Sequence, residues 1–188
     1  MKRRILVVGA AVAAVVLVLG AFWFEPWRLF TDRTVDESIP DVQAGPPPAD
    51  GSAGADATTG GSSGEEAPPP EPKVLLTGEL ISHEHETSGS VLVLELADGS
   101  RILRLEDLET SDGPDVHVWL SDAEVEDSQD GWFVFDDGEY HDLGEIKGNR
   151  GNQNYVLPAD LDLKQFQSVS LWCDRFNVSF GAAELAAA

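Results

Sequence analysis

From Val74 onward the apolar residues fall in runs too short for packed helices, each closed by turn-forming residues. This pattern restricts the fold more than any other feature of the chain. The segments "VLLTGELI" (residues 74–81), "SVLVLEL" (90–96), "RILRL" (101–105), "DVHVWLS", "GWFVF" ending at Phe135, "NQNYVLP" ending at Pro158, "SVSLWC" and "FNVSF" all have strand length. Turn signals such as "ADGS" around Asp98-Gly99 and the "DDG" after Phe135 stand between them. Within the runs, residues two apart share a face, because side chains alternate across a pleated strand. Val116, Val118 and Leu120 therefore lie on one face, with His117 and Trp119 on the other. Val169, Leu171 and Cys173 share a face, and so do Phe176, Val178 and Phe180. Inward positions are odd up to Cys173 and even from Phe176, which predicts a bulge or tight bend at Asp174-Arg175. The spacing predicts an all-β fold over residues 74–188, an antiparallel β-sandwich or barrel-like domain. Residues 159–166 read as one short helical turn.

The N-terminus obeys a different rule. Residues 5–24 carry no charge and follow Lys2, Arg3 and Arg4. As a helix these 20 residues reach about 30 Å, the thickness of a bilayer core. The run ends in Phe22, Trp23 and Phe24, which suit a membrane interface better than a peptidase site. A cleaved signal peptide is the competing reading, though it has a shorter apolar core and small residues before the cut. No cysteine lies near enough for lipid attachment. Residues 1–24 thus read as an uncleaved transmembrane signal anchor, single-pass in the cell membrane. The basic end is cytoplasmic and the C-terminal domain extracytoplasmic. Residues 25–73 are rich in Pro, Gly, Ser and acids and read as a disordered linker.

The formal net charge is −22, and residues 74–188 hold 24 Asp and Glu against 6 Lys and Arg, which gives −18. Such a field excludes nucleic acid as a partner and repels anionic head groups. It leaves cations, basic proteins and solvent as the natural neighbours, beside the membrane reached through the N-terminal helix. Residues 122–142 hold nine acids. Their spacing fits no EF-hand loop, so they read as a solvated face rather than a calcium site. No Ser/His/Asp, phosphate-loop or dinucleotide motif is present, and an ordinary enzyme is the least supported class.

Cys173 is the only cysteine. It cannot form an internal disulfide, a C-x-x-C pair or a thiolate cluster. The choices left are a small buried hydrophobe, a redox or metal-ligating thiol, and half of an intermolecular bridge; the acidic field raises its pKa. His83 and His85 sit about 7 Å apart on one side of an extended chain, a chelating distance. His83 reads as a surface residue, and His85 as either a loop-fixing donor or a ligand. His117 reads as surface. A blue-copper site is excluded because Met1 is the only methionine. The residues alone name no cofactor and no metal set.

Four phrases in order carry a resemblance: "TGELISHEHETSGSVLVLEL", "TSDGPDVHVWLS", "HDLGEIKGNRGNQNYVLP" and "SVSLWCDRFNVSFGAAEL". Together they resemble the DM-thirteen domain, usually labelled an electron-transfer domain, over about residues 75–186. The resemblance implies an all-β, secreted or membrane-tethered domain. It also implies a redox role at the family's single cysteine, here Cys173, and matches the family's early histidine to His85. Two functions stay open. One is a membrane-tethered extracytoplasmic electron-transfer domain centred on Cys173, with His85 on the cofactor side. The other is a non-catalytic surface module binding a protein, glycan or cation.

Overall fold

The computed structural model describes residues 2–40 and 71–188. An apolar helix, α1 (Lys2–Phe24), opens the chain, and Glu25, in the left-handed region at φ 42°, turns it into a 3-10 helix (Pro26–Phe30). Eleven strands follow among the described residues: β1 (Thr34–Asp36), β2 (Lys73–Glu79), β3 (Ile81–Ser82), β4 (Ser88–Glu95), β5 (Arg101–Glu109), β6 (Val116–Ser121), β7 (Tyr140–Glu145), β8 (Arg150–Leu157), β9 (Ser168–Cys173), β10 (Val178–Glu184) and β11 (Ala186–Ala187). They form a six-stranded sheet in the order β1-β8-β5-β4-β2-β11 and a five-stranded sheet in the order β3-β10-β9-β6-β7. The two sheets make a sandwich and not a closed barrel. All pairings are antiparallel except β1 with β8.

The alternation read from the sequence builds the core. Val91 and Val93 of β4, Leu103 and Leu105 of β5, and Tyr155 and Leu157 of β8 face inward from one sheet. Val116, Val118 and Leu120 of β6, Val169, Leu171 and Cys173 of β9, and Val178 and Phe180 of β10 meet them from the other. Each fully buried aliphatic side chain contributes about 1.5–3 kcal/mol of transfer energy. The phase change after Cys173 is a hairpin: Cys173 pairs with Val178, and residues 174–177 turn between them with Asn177 at φ 50°. Phe176 therefore belongs to the turn, 43% exposed, rather than to the inward face of a strand.

Other expectations are corrected. "GWFVF" is a 3-10 helix (Asp130–Phe133) running into a turn, with only Phe135 fully buried. Residues 159–166 do hold the single helical turn expected, the Gln165 and Phe166 N–H groups both donating to the Asp162 carbonyl, at 3.1 and 3.4 Å, and it extends no further. Strands β1 and β7 were not anticipated. β1 lies inside the stretch read as linker, and residues 31–40 dock along the six-stranded sheet. Arg33 reaches Asp112 at 2.9 Å, Lys147 reaches Glu37 at 2.8 Å, and Arg104 donates to the Glu37 carbonyl at 2.9 Å. Ile39 packs on Leu94, Leu96 and Ile102. Gly148 and Gly151 make room for this strand: a Cβ on Gly148 would meet the Arg33 carbonyl, and one on Gly151, held at φ 93°, the Val35 carbonyl. The rest of the expected linker, residues 41–70, lies outside the described residues.

Helix α1 includes Leu6–Phe24, long and apolar enough to cross a membrane and not buried inside the rest of the chain, which it touches at its foot. That suits membrane anchoring or a signal peptide.

Candidate functional site

Cys173 closes β9 with its side chain on the inner face, paired with Val116 of β6 and Val178 of β10. It is fully buried and unpaired. Burial pushes its thiol above the ordinary range. The backbone N–H groups of Phe176 and Arg175 pull back, and the carboxylates of Asp115 and Glu84 push further up. A thiolate is therefore disfavoured, and with it disulfide exchange and soft-metal ligation.

His85 lies in the bend after β3, its N–H bonded to the Phe180 carbonyl at 3.3 Å. Its ring rests on Phe180 with centroids 3.8 Å apart. Burial holds its pKa below the usual range, against the pull of the Glu84 carboxylate 3.9 Å from Nε2. It is a neutral imidazole whose ring makes no hydrogen bond among the described residues. Phe180 shares the main core with Cys173, so both expected site residues border one end of the sandwich without forming a common ligand set. His83 does not join them. The bend sends it to the outer side of the five-stranded sheet, 5% exposed, with its ring 5.9 Å from that of Phe135. Neither of its ring nitrogens is hydrogen-bonded. Burial lowers its pKa, the Asp127 carboxylate raises it, and the Glu126 backbone approaches without completing a bond. The expected surface role for His83 and the chelating pair with His85 both fail, because the chain bends where the spacing assumed an extended strand.

A cavity of about 300 Å³ opens at the His85 end, between the foot of α1 and the sandwich. Phe24 stacks on Phe176 with rings 5.9 Å apart, and Arg175 donates to the Trp23 carbonyl at 2.6 Å. Arg28 is consumed by Glu25 at 2.7 Å, the Gly113 carbonyl at 3.1 Å and Asp112 at 3.7 Å. Gly113 has no room for a Cβ, which would strike the Phe180 ring.

The outer face of the five-stranded sheet carries an aromatic ladder. Tyr140 stacks on Trp119 with centroids 4.0 Å apart and planes 7° from parallel. Trp119 stacks on Trp172 at 5.1 Å and 22°. Phe135 meets Trp172 edge-on at 6.3 Å. The stacked pairs are diagonal neighbours across adjacent strands, a reach that aromatic side chains span. Trp119 and Trp172 are buried and Tyr140 is half exposed. The acidic loop is their lid: Ala123, Val125 and Val134 pack on the ladder while its carboxylates face water. That segment is therefore a cover and not only a solvated face.

Beside the ladder, His117 lies directly opposite Trp172. Its Nδ1 bonds to Asp142 at 3.0 Å and its Nε2 approaches Asp115 at 3.5 Å. One nitrogen of His117 and carboxylate oxygens of Asp115 and Glu145 lie within 4.8 Å of one another, a set able to hold a hard cation. Burial lowers the His117 pKa, but Asp142, Asp174 and Asp115 together raise it above the usual range. Partly buried and ion-paired, it is not the plain surface residue expected. The sequence signal for the ladder was Trp119 and Trp172, both in outward phase on strands that proved to be neighbours.

Residues 79–185 match the family described as Electron transfer DM13. The chain belongs to that family. The DM13 match takes in His85, Cys173, the ladder and its lid, and it leaves out α1 and the docked residues 31–40. No curated protein and no solved structure matches the chain.

Proposed function

We propose that this DM13 chain is a membrane-tethered, extracytoplasmic electron-transfer module. Residues 1–24 are its anchor and residues 74–188 its β domain, with a cell-envelope redox protein as partner. The observation that carries the reading is the stack Tyr140–Trp119–Trp172. Indole and phenol are, with thiols, the most readily oxidised side chains. Here they run face to face from an exposed phenol to the residue beside Cys173. Each member gives up one electron and regains one from its neighbour. Tyr140 releases its proton to solvent when oxidised and recovers it when reduced. Cys173, closed to disulfide exchange by burial, adjoins the inner end of the stack and takes no step of its own, because its thiol proton has no acceptor among the described residues.

The test is flash oxidation of the full chain in detergent with a photogenerated ruthenium oxidant, followed by the tyrosyl and tryptophanyl radical absorbances. The expected result is a tryptophanyl signal passing to a tyrosyl one, with the tyrosyl signal lost in Tyr140→Phe. In Trp119→Phe the transfer slows about tenfold or more while the fold, checked by circular dichroism, stays. Transfer in Trp119→Phe as fast as in the unmodified chain would rule out the ladder as the route.

A further inference from the structure

We infer that the cavity between the foot of α1 and the sandwich binds the head group of a lipophilic quinone, an inference that rests on the electron-transfer reading above. Three properties of the cavity select this class. Its volume, about 300 Å³, suits one substituted ring and not a macromolecular segment. Its walls include Phe24, Phe176 and Phe180, flat surfaces for a flat ligand.

Its polar groups then fix the ligand's charge. Glu25, Glu84 and the buried Asp112 line it, and the one arginine there, Arg28, is already spent on Glu25, Asp112 and the Gly113 carbonyl. A fatty-acid carboxylate or a phosphate finds no free cation and the like charge of Glu84, the lining carboxylate that no arginine pairs. A neutral ligand escapes that repulsion. Beside Glu84, 3.9 Å from its Nε2, the polar side chain there without a hydrogen bond is His85, stacked on Phe180 with a ring N–H to donate. It matches a neutral acceptor such as a quinone carbonyl. Phe24 is also the last residue of the apolar helix, so the cavity mouth stands where a membrane-dissolved molecule arrives. Phe180, which floors the cavity, packs in the same core as Cys173, whose neighbour Trp172 begins the ladder.

The experiment uses the full chain in lipid nanodiscs and a short-chain benzoquinone as probe, followed by quenching of tryptophan fluorescence. Trp23 and Trp27 stand beside the mouth. The expected result is saturable quenching, weakened about fivefold or more in His85→Leu by the lost hydrogen bond. A similar loss is expected in Phe176→Ala, whose exposed turn position leaves the core intact. Oleate should not compete. Linear, unsaturable quenching, equal quenching in both variants, or displacement by oleate each overturns the inference. Flash oxidation without quinone separates the two readings. Radical transfer along the ladder with no quinone binding removes this inference alone, whereas quinone binding with no transfer removes the electron-transfer reading on which it rests.

Discussion

The burial of Cys173 makes a quantitative demand. Its sulfur lies on the inner face of the five-stranded sheet between Val116 and Val178, with no exposed surface. Opening the hairpin turn at residues 174–177 takes the Arg175 and Phe176 N–H groups from the sulfur but leaves Val116 and Val178 against it. A labelling reagent must therefore wait for β9 to separate from both, close to global unfolding. A domain of this size is stable by roughly 5–15 kcal/mol. At about 1.4 kcal/mol per factor of ten, even the lower figure slows labelling by more than a thousandfold. The raised thiol pKa adds to this by keeping the reactive thiolate scarce. The assay is reaction of the full chain with an aromatic disulfide reagent at mildly alkaline pH, in native buffer and in concentrated guanidinium. Native labelling at least a thousandfold slower than unfolded labelling is expected. A native rate within tenfold of the unfolded one refutes the argument and restores disulfide exchange as the chemistry of Cys173.

Three further outcomes follow from particular contacts. Gly151→Ala puts a side chain at φ 93° and against the Val35 carbonyl, so it should cost about 1–3 kcal/mol of strain. Hydrogen exchange should then speed up at residues 34–36 while β9 and β10 stay protected; unchanged exchange at β1 counts against its docking. His117 has a raised folded pKa, so its contribution is complete below its unfolded value of about 6.5 and is lost as pH rises through the folded value. Thermal melts should show that loss, and Asp142→Asn should remove most of it; a melt flat over that range denies the ion pair. His83 and His85 have lowered pKa values, so their contribution is present above about 6.5 and is lost as pH falls. His83→Phe should therefore flatten the acid side of the same melts, and an unchanged acid side argues against burial of the neutral ring.

What could be read in the sequence was what local geometry decides. The parity of β6 and β9 follows from the pleat alone, so Val118 and Leu171 faced inward as expected. So did Cys173. What stayed hidden depended on distant partners. β1 exists because Gly148 and Gly151, over a hundred residues away, leave a groove for it. β7 has few apolar residues, and its pairing with β6 defines it. "GWFVF" is apolar and strand-length, yet it folds as a lid, and a short apolar run does not distinguish the two.

The same division separates the two halves of the site. Cys173 and His85 stood out by residue type, but type did not reveal that one is sealed in the core and the other borders a cavity. The ladder stood out by neither, since its members are ordinary aromatics until the order β9-β6-β7 stacks them. That order also places the ladder and the cavity on opposite sides of the Cys173 strand. Trp172 faces the outer cluster, while Cys173 and Phe180 face the inner core that leads to His85. On β9 the adjacent residues Trp172 and Cys173 belong one to the outer aromatic cluster and one to the inner core. Substitutions at that dipeptide should therefore disturb both clusters at once, whereas those at Tyr140 or His85 should disturb only one.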